Sequence, residues 1–125
     1  MEDIIKGGIT DFIPFFNAFV EGENLIFSEE GDQTLTIDSG FNGGIALPGE
    51  VLEEMELELV DYDTFRLATG EIVELPVFLG KVIIKDFEVE ACFIPGDWLL
   101  GMEFLSAVGQ ELVLNFVEST VKLTR

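Results

Sequence analysis

The residue types in this chain leave little choice of reactive chemistry. It has no histidine and one cysteine, Cys92, so the Ser–His and Cys–His pairs that activate a nucleophile are excluded, as is most transition-metal ligation. Carboxylates remain for strong acid–base work, and among 25 acidic residues one stands apart. In LTIDSGFNGGIALP, residues 35–48, an apolar run that reads as a strand delivers Asp38 straight into Ser39 and Gly40, with Phe41, Asn42, Gly43 and Gly44 behind them. A carboxylate at a strand end followed by small residues is either an ordinary turn or a place where slim backbone leaves room for chemistry.

The other acidic groupings fare worse as sites. DYDTFRLATGEI offers Asp61 and Asp63 at the first and third positions of a calcium loop. Phe65 then takes the fifth, Arg66 replaces the obligatory glycine and Ile72 replaces the bidentate glutamate, so the loop fails as an EF-hand. EEGDQ at 29–33 and GEVLEEME at 49–56 read as solvated charge. No metal and no cofactor is expected. Cys92 lies in the alternating segment FEVEACFIP, where a structural thiol on a strand is the simpler reading than a nucleophile.

The elements that must hold Asp38 follow from length and patterning. A chain of 125 residues makes a single domain over 1–125, able to bury roughly two thirds of its unfolded surface. With 48% hydrophobic residues, twelve of them Phe, it folds despite a formal charge of −19. That charge argues against a nucleic acid or an anionic membrane as partner, since both are repelled. The opening MEDII is acidic where a secretion signal is basic, and the apolar runs are far too short to span a bilayer, so a cytoplasmic protein is expected.

Residues 1–10 read as a lead-in. Strands are expected in 11–20, 25–30 and 34–37, in TFRLATG and in EIVELPVFLGKVII at 71–84, where Pro76 marks an edge or a bulge. FEVEACFI and two pieces of ELVLNFVESTVKLT add more. Two short helices interrupt them. One starts at Pro48, with Val51, Leu52 and Met55 at helical spacing; the other starts near Gly101, with Leu100, Phe104, Leu105 and Val108 on one face and Gly109 as its stop. The sum is an all-β chain with one or two short helices, and so many short strands favour a closed barrel.

Taken in order, these features resemble the retropepsin-like (clan AA) aspartic proteases, the single-lobed acid-protease family, in the subgroup with Phe after the D-[ST]-G triplet. The resemblance runs from about residue 11 onward. It rests on the strand into Ile37-Asp38-Ser39-Gly40, on Phe41, on a glycine-bearing hairpin in mid-chain, and on Leu99-Leu100-Gly101 opening a short helix. It implies the closed acid-protease barrel. Two aspartates side by side cannot both ionise cheaply, so one acts as base on a water while the other, protonated, donates to a peptide carbonyl.

In this resemblance Asp38, Ser39 and Gly40 form the catalytic loop, and Leu99, Leu100 and Gly101 support it from beneath. Phe41 and Asn42, with Ala68, Thr69 and Gly70 at the tip of a closing hairpin, would bind an extended protein or peptide substrate. The chain has one such Asp triplet, so the second carboxylate must come from a homodimer partner, with the C-terminal STVKLT pairing across the interface. An aspartic endopeptidase is the function implied. Two alternatives stand beside it: a weakly catalytic or non-catalytic dimer of the same fold that binds protein, and a monomeric β-barrel in which D-S-G is only a turn.

Overall fold

Short runs rich in Val, Ile, Phe and Thr, broken by Gly, Asn, Asp and Pro, favour strands over helices. The computed structural model describes residues 1–125, of which 58% are strand and 11% helix, an all-β composition. The elements are β1 (Asp3–Thr10), β2 (Ile13–Glu21), β3 (Asn24–Phe27), β4 (Gln33–Ile37), β5 (Ile45–Leu47), α1 (Gly49–Met55), β6 (Glu58–Arg66), β7 (Ile72–Ile84), β8 (Phe87–Pro95), β9 (Leu99–Leu100), α2 (Met102–Val108), β10 (Glu111–Asn115) and β11 (Thr120–Thr124).

All the strands join one hydrogen-bonded sheet in the order β10-β11-β1-β2-β3-β7-β8-β5-β9-β4, with β6 on β7. Because β4 also pairs with β2, from Phe15↔Thr36 to Ala18↔Gln33, seven strands from β2 round to β4 close into a ring. Strands β1, β11 and β10 extend the sheet outward from β2. The ring encloses fully buried Phe16, Leu25, Leu35, Val82, Phe93 and Leu100. Helix α1 adds Leu52 and Met55, and α2 adds Phe104, Leu105 and Val108. The Phe104 ring stacks on Phe27 at 5.7 Å, and Phe27 meets Phe16 edge-on at 6.4 Å. This aromatic chain ties α2 to the far wall of the core.

Three expectations need correction. Residues 3–10 are a strand, β1, between β2 and β11; the paired glycines at 7 and 8 hid it, yet Gly7 is what lets β2 pass so closely, since a side chain there would run into the Phe15 carbonyl. The strand before the mid-chain hairpin begins at Glu58, not near Thr64, because eight of its nine residues are exposed and no buried face betrays it. The C-terminal strand β11 has both edges taken inside the chain, β1 on one and β10 on the other. It has no free backbone groups with which to pair a second copy. Pro76 does sit where β7 has a single neighbour: β6 pairs it opposite Tyr62, while β8 joins only from Phe78 onward. No helix is long and apolar enough to cross a membrane.

Leu100 is fully buried between β4 and β5. Replacing it with Ala should lower the stability measured by urea unfolding by about 2–5 kcal/mol, through lost burial and the cavity left behind.

Candidate active site

The segment around Asp38 is built by inserting one strand between two others that a single loop connects. Strand β9 pairs in parallel with β4, Thr36↔Leu99 and Ile37↔Leu100, and antiparallel with β5, Ile45↔Leu100 and Ala46↔Leu99. The loop 38–44, which joins β4 to β5, therefore has to arch over the end of β9. Backbone hydrogen bonds fasten it there. The Asp38 amide donates to the Leu100 carbonyl at 3.0 Å, the Gly101 amide to Gly44 at 2.7 Å, the Met102 amide to Phe41 at 2.8 Å and the Glu103 amide to Gly43 at 3.1 Å. One strand further back, the Thr36 amide donates to Trp98 at 3.0 Å.

Such close stitching explains Gly101. Any side chain there would run into the carbonyl oxygens of Gly43 and Gly44, so the residue that opens α2 has to lack Cβ. Leu99, Leu100 and Gly101 thus lie directly under the loop, contacting it by main chain as well as by packing.

Asp38 is half-buried, and Ser39, Gly40 and Asn42 are exposed. Oδ1 of Asp38 accepts a 2.9 Å hydrogen bond from the Gly40 amide, and the Phe41 amide donates to the Asp38 carbonyl at 3.1 Å. The triplet is therefore a closed turn that fixes one carboxylate oxygen against its own backbone and presents the group at the surface. A carboxylate held this way is ready to accept a proton or to orient a water, but one carboxylate alone lacks the acid partner that amide hydrolysis requires.

Above the loop stands the β6–β7 hairpin. Its tip is closed by the Leu67 amide donating to Glu71 at 2.8 Å and the Gly70 amide to Leu67 at 2.9 Å, with Gly70 at φ +89°. Ala68, Thr69 and Gly70 are exposed at this tip. The hairpin residue that meets the loop is Phe65, whose ring lies 6.4 Å from that of Phe41. Phe41, Phe65, Leu75, Cys92 and Leu99 pack around buried Ala46, Val77 and Ile94 as a small second core, separate from the main one. Phe41 is thus half-buried under the tip end of the hairpin. Phe65 escaped sequence reasoning, although a phenyl ring, with no polar atom to solvate, in the polar strand DYDTFR is the signal that it has something to cover.

Cys92 flanks the loop from the other side. It is half-buried on β8, beside a cavity of about 130 Å³ lined also by Gly44, Leu79, Glu103, Phe104 and Val108. Burial pushes its thiol pKa up, and the negative charge of Glu103 adds to the effect. The thiol keeps its proton to higher pH folded than unfolded, so its contribution to stability is fully present below the unfolded thiol's range and is lost as pH rises from there through the higher folded range. No group of three or more His, Cys, Asp or Glu converges as a metal site.

Compared with known proteins, the chain matches no family model, no curated protein and no solved structure.

Two measurements check this geometry. Phe65→Ala should free the hairpin from the loop, speeding limited proteolysis within 67–71 several-fold while costing about 1 kcal/mol in global stability. Native Cys92 should react with a disulfide reagent at pH 8 more slowly than the urea-unfolded chain does, with the native rate still climbing at pH values where the unfolded rate has levelled off.

Proposed function

We propose that the chain is a retropepsin-like aspartic endopeptidase that works as a homodimer, one Asp38 from each copy meeting at the two-fold axis. The observation that carries this reading is the placement of Asp38: a surface carboxylate fixed by its own turn, on a loop bolted to β9 and α2, beneath a β-hairpin that leans on that loop through Phe65. Rigid support below and a two-stranded cover above are what a dyad needs to hold a water against an extended peptide.

In this mechanism the ionised Asp38 takes a proton from the water as its oxygen bonds to the peptide carbonyl carbon. The protonated Asp38 of the other copy gives its proton to the carbonyl oxygen. The tetrahedral gem-diol then collapses: the nitrogen takes the proton from the first Asp38 as the C–N bond breaks, a gem-diol hydroxyl returns its proton to the second Asp38, and one shared proton again remains on the pair. Ser39, exposed beside Asp38, is within the part of the loop that would face the partner's loop and brace the two carboxylates. The substrate lies extended, so that its backbone hydrogen-bonds in strand fashion while alternate side chains enter pockets. The unpaired thiol of Cys92 accords with a reducing, cytoplasmic setting.

Digestion of an unstructured peptide library across acidic to neutral pH, read by mass spectrometry, tests the proposal. Asp38→Asn should lower cleavage by roughly 10²–10⁴-fold or more while leaving the fold intact. Equal cleavage by the variant would refute an aspartic mechanism. No cleavage by a wild-type protein that is dimeric in the same buffer would assign the fold to protein binding instead.

A further inference from the structure

The proposed dyad needs a second copy, yet β11 offers no free edge, so a different surface has to bring the copies together. The sheet register locates one. Antiparallel pairing of β2 with β4 ends at Phe15↔Thr36; continued by two residues, the same register sets Ile13 beside Asp38. On the other side of β2, Ile13 pairs with Thr10 of β1, and the Ile9 amide donates to the Ser119 carbonyl at 3.0 Å. The β1–β2 turn, the β10–β11 turn and the Asp38 loop therefore all project from the same end of the sheet. Spacings of roughly 4.8 Å between strands put the two turns within about 15 Å of Asp38.

Both turns carry their apolar side chains outward. Phe12 is 90% exposed and Val117 92%, with Phe116 at 66% and Ile13 at 50%. Neither turn is a loose end. Asp11 and Phe12 adopt φ +52° and +67°, the left-handed pair of a tight hairpin turn. Glycine or asparagine takes the second of these positions readily, and a bulky aromatic takes it at a cost. At the other turn Oδ1 of Asn115 accepts from the amides of Val117 at 3.1 Å and Glu118 at 3.0 Å, which fixes Val117 outward. A solvated phenyl ring in a strained backbone position serves nothing in a lone chain.

We infer that the β1–β2 and β10–β11 turns form the dimer interface, with Phe12, Ile13, Phe116 and Val117 packing against the same residues of a second copy across the two-fold axis on which Asp38 lies. This rests on the aspartic dyad proposed above and names its partner surface. The occupant is a second copy because the site is incomplete without one and because the patch flanks the residue that must be duplicated. The two rings offer about 300 Å² of the roughly 800 Å² per partner that a stable dimer buries; the Asp38 loop, next to the β1–β2 turn on the side away from the β10–β11 turn, adjoins this patch and adds to it.

Sedimentation equilibrium of four proteins tests the inference, with peptide cleavage followed in parallel. Phe12→Asn/Val117→Thr keeps residues suited to both turns, so it should fold with an unchanged or raised melting temperature while its dimer dissociation constant rises roughly 30-fold or more. Val113→Lys, on the outer strand β10, should dimerise like wild type. Asp38→Asn should dimerise and not cleave. A double variant that stays as tightly dimeric as wild type, or a dimer lost in Val113→Lys instead, overturns the interface while leaving the dyad standing if Asp38→Asn is inactive. Full cleavage by Asp38→Asn, with dimerisation still dependent on the two turns, overturns the dyad and keeps the interface. A wild-type chain that is monomeric at every concentration overturns both.

Discussion

Everything at the candidate site depends on β9 lying between β4 and β5. Two residues of strand, Leu99 and Leu100, occupy the gap between two strands that the loop 38–44 joins, and the loop then has no path except over their end. The four amides that fasten it come from consecutive or near-consecutive positions on either side of the crossing. A surface loop of three glycines and an asparagine is ordinarily mobile. Here four backbone hydrogen bonds tie it to Leu100–Glu103, which converts a flexible composition into a fixed one. The position of Asp38 is then a property of the core and not of the loop.

The same crossing accounts for how the two apolar clusters divide the labour. The main core fills the ring of strands and holds α1 and α2. The smaller cluster, Ala46, Val77 and Ile94 with Phe41 and Phe65 around them, lies on the outer side of β5 and joins the hairpin to the loop. With few buried residues in it, this second cluster is the softer of the two, so the hairpin can open at little cost while the carboxylate below it stays in place. The surface around both is strongly anionic: ion pairs take up only Glu2, with Lys85, and Asp3, with Lys122, out of 25 acidic side chains, and the net formal charge is −19. That repulsion makes an apolar patch all the more necessary for any self-association.

Much of this was legible in the residues. Helices α1 and α2 fell where Pro48, Gly101 and Gly109 punctuate an i, i+3, i+4 pattern, since capping and periodicity are local signals. The strand into Asp38 and the hydrophobic pair before Gly101 were legible for the same reason, each being a short apolar run against a polar background. What escaped depends on distant partners. β1 carries glycines because of how near β2 passes, and β6 has almost no buried face, so neither shows the alternation of a half-buried strand. β10 flanks β11 as a local hairpin, but β1 covers its other edge through pairings across more than a hundred residues, which no window of sequence contains. Phe65 belongs to the same class: its partner, Phe41, lies in another element altogether.

The order in which the site's parts are synthesised has its own consequence. The loop that bears Asp38 is made early, but the residues that fasten it, Trp98 to Glu103, follow some sixty positions later, and the β6–β7 hairpin and β8 must emerge in between. Until then β4 has only β2 beside it, and the arch over β9 has nothing to arch over. A nascent chain on the ribosome therefore carries its carboxylate on an unsupported coil. The fixed position of Asp38 is therefore acquired only after residues 98–103 have been added, by topology alone.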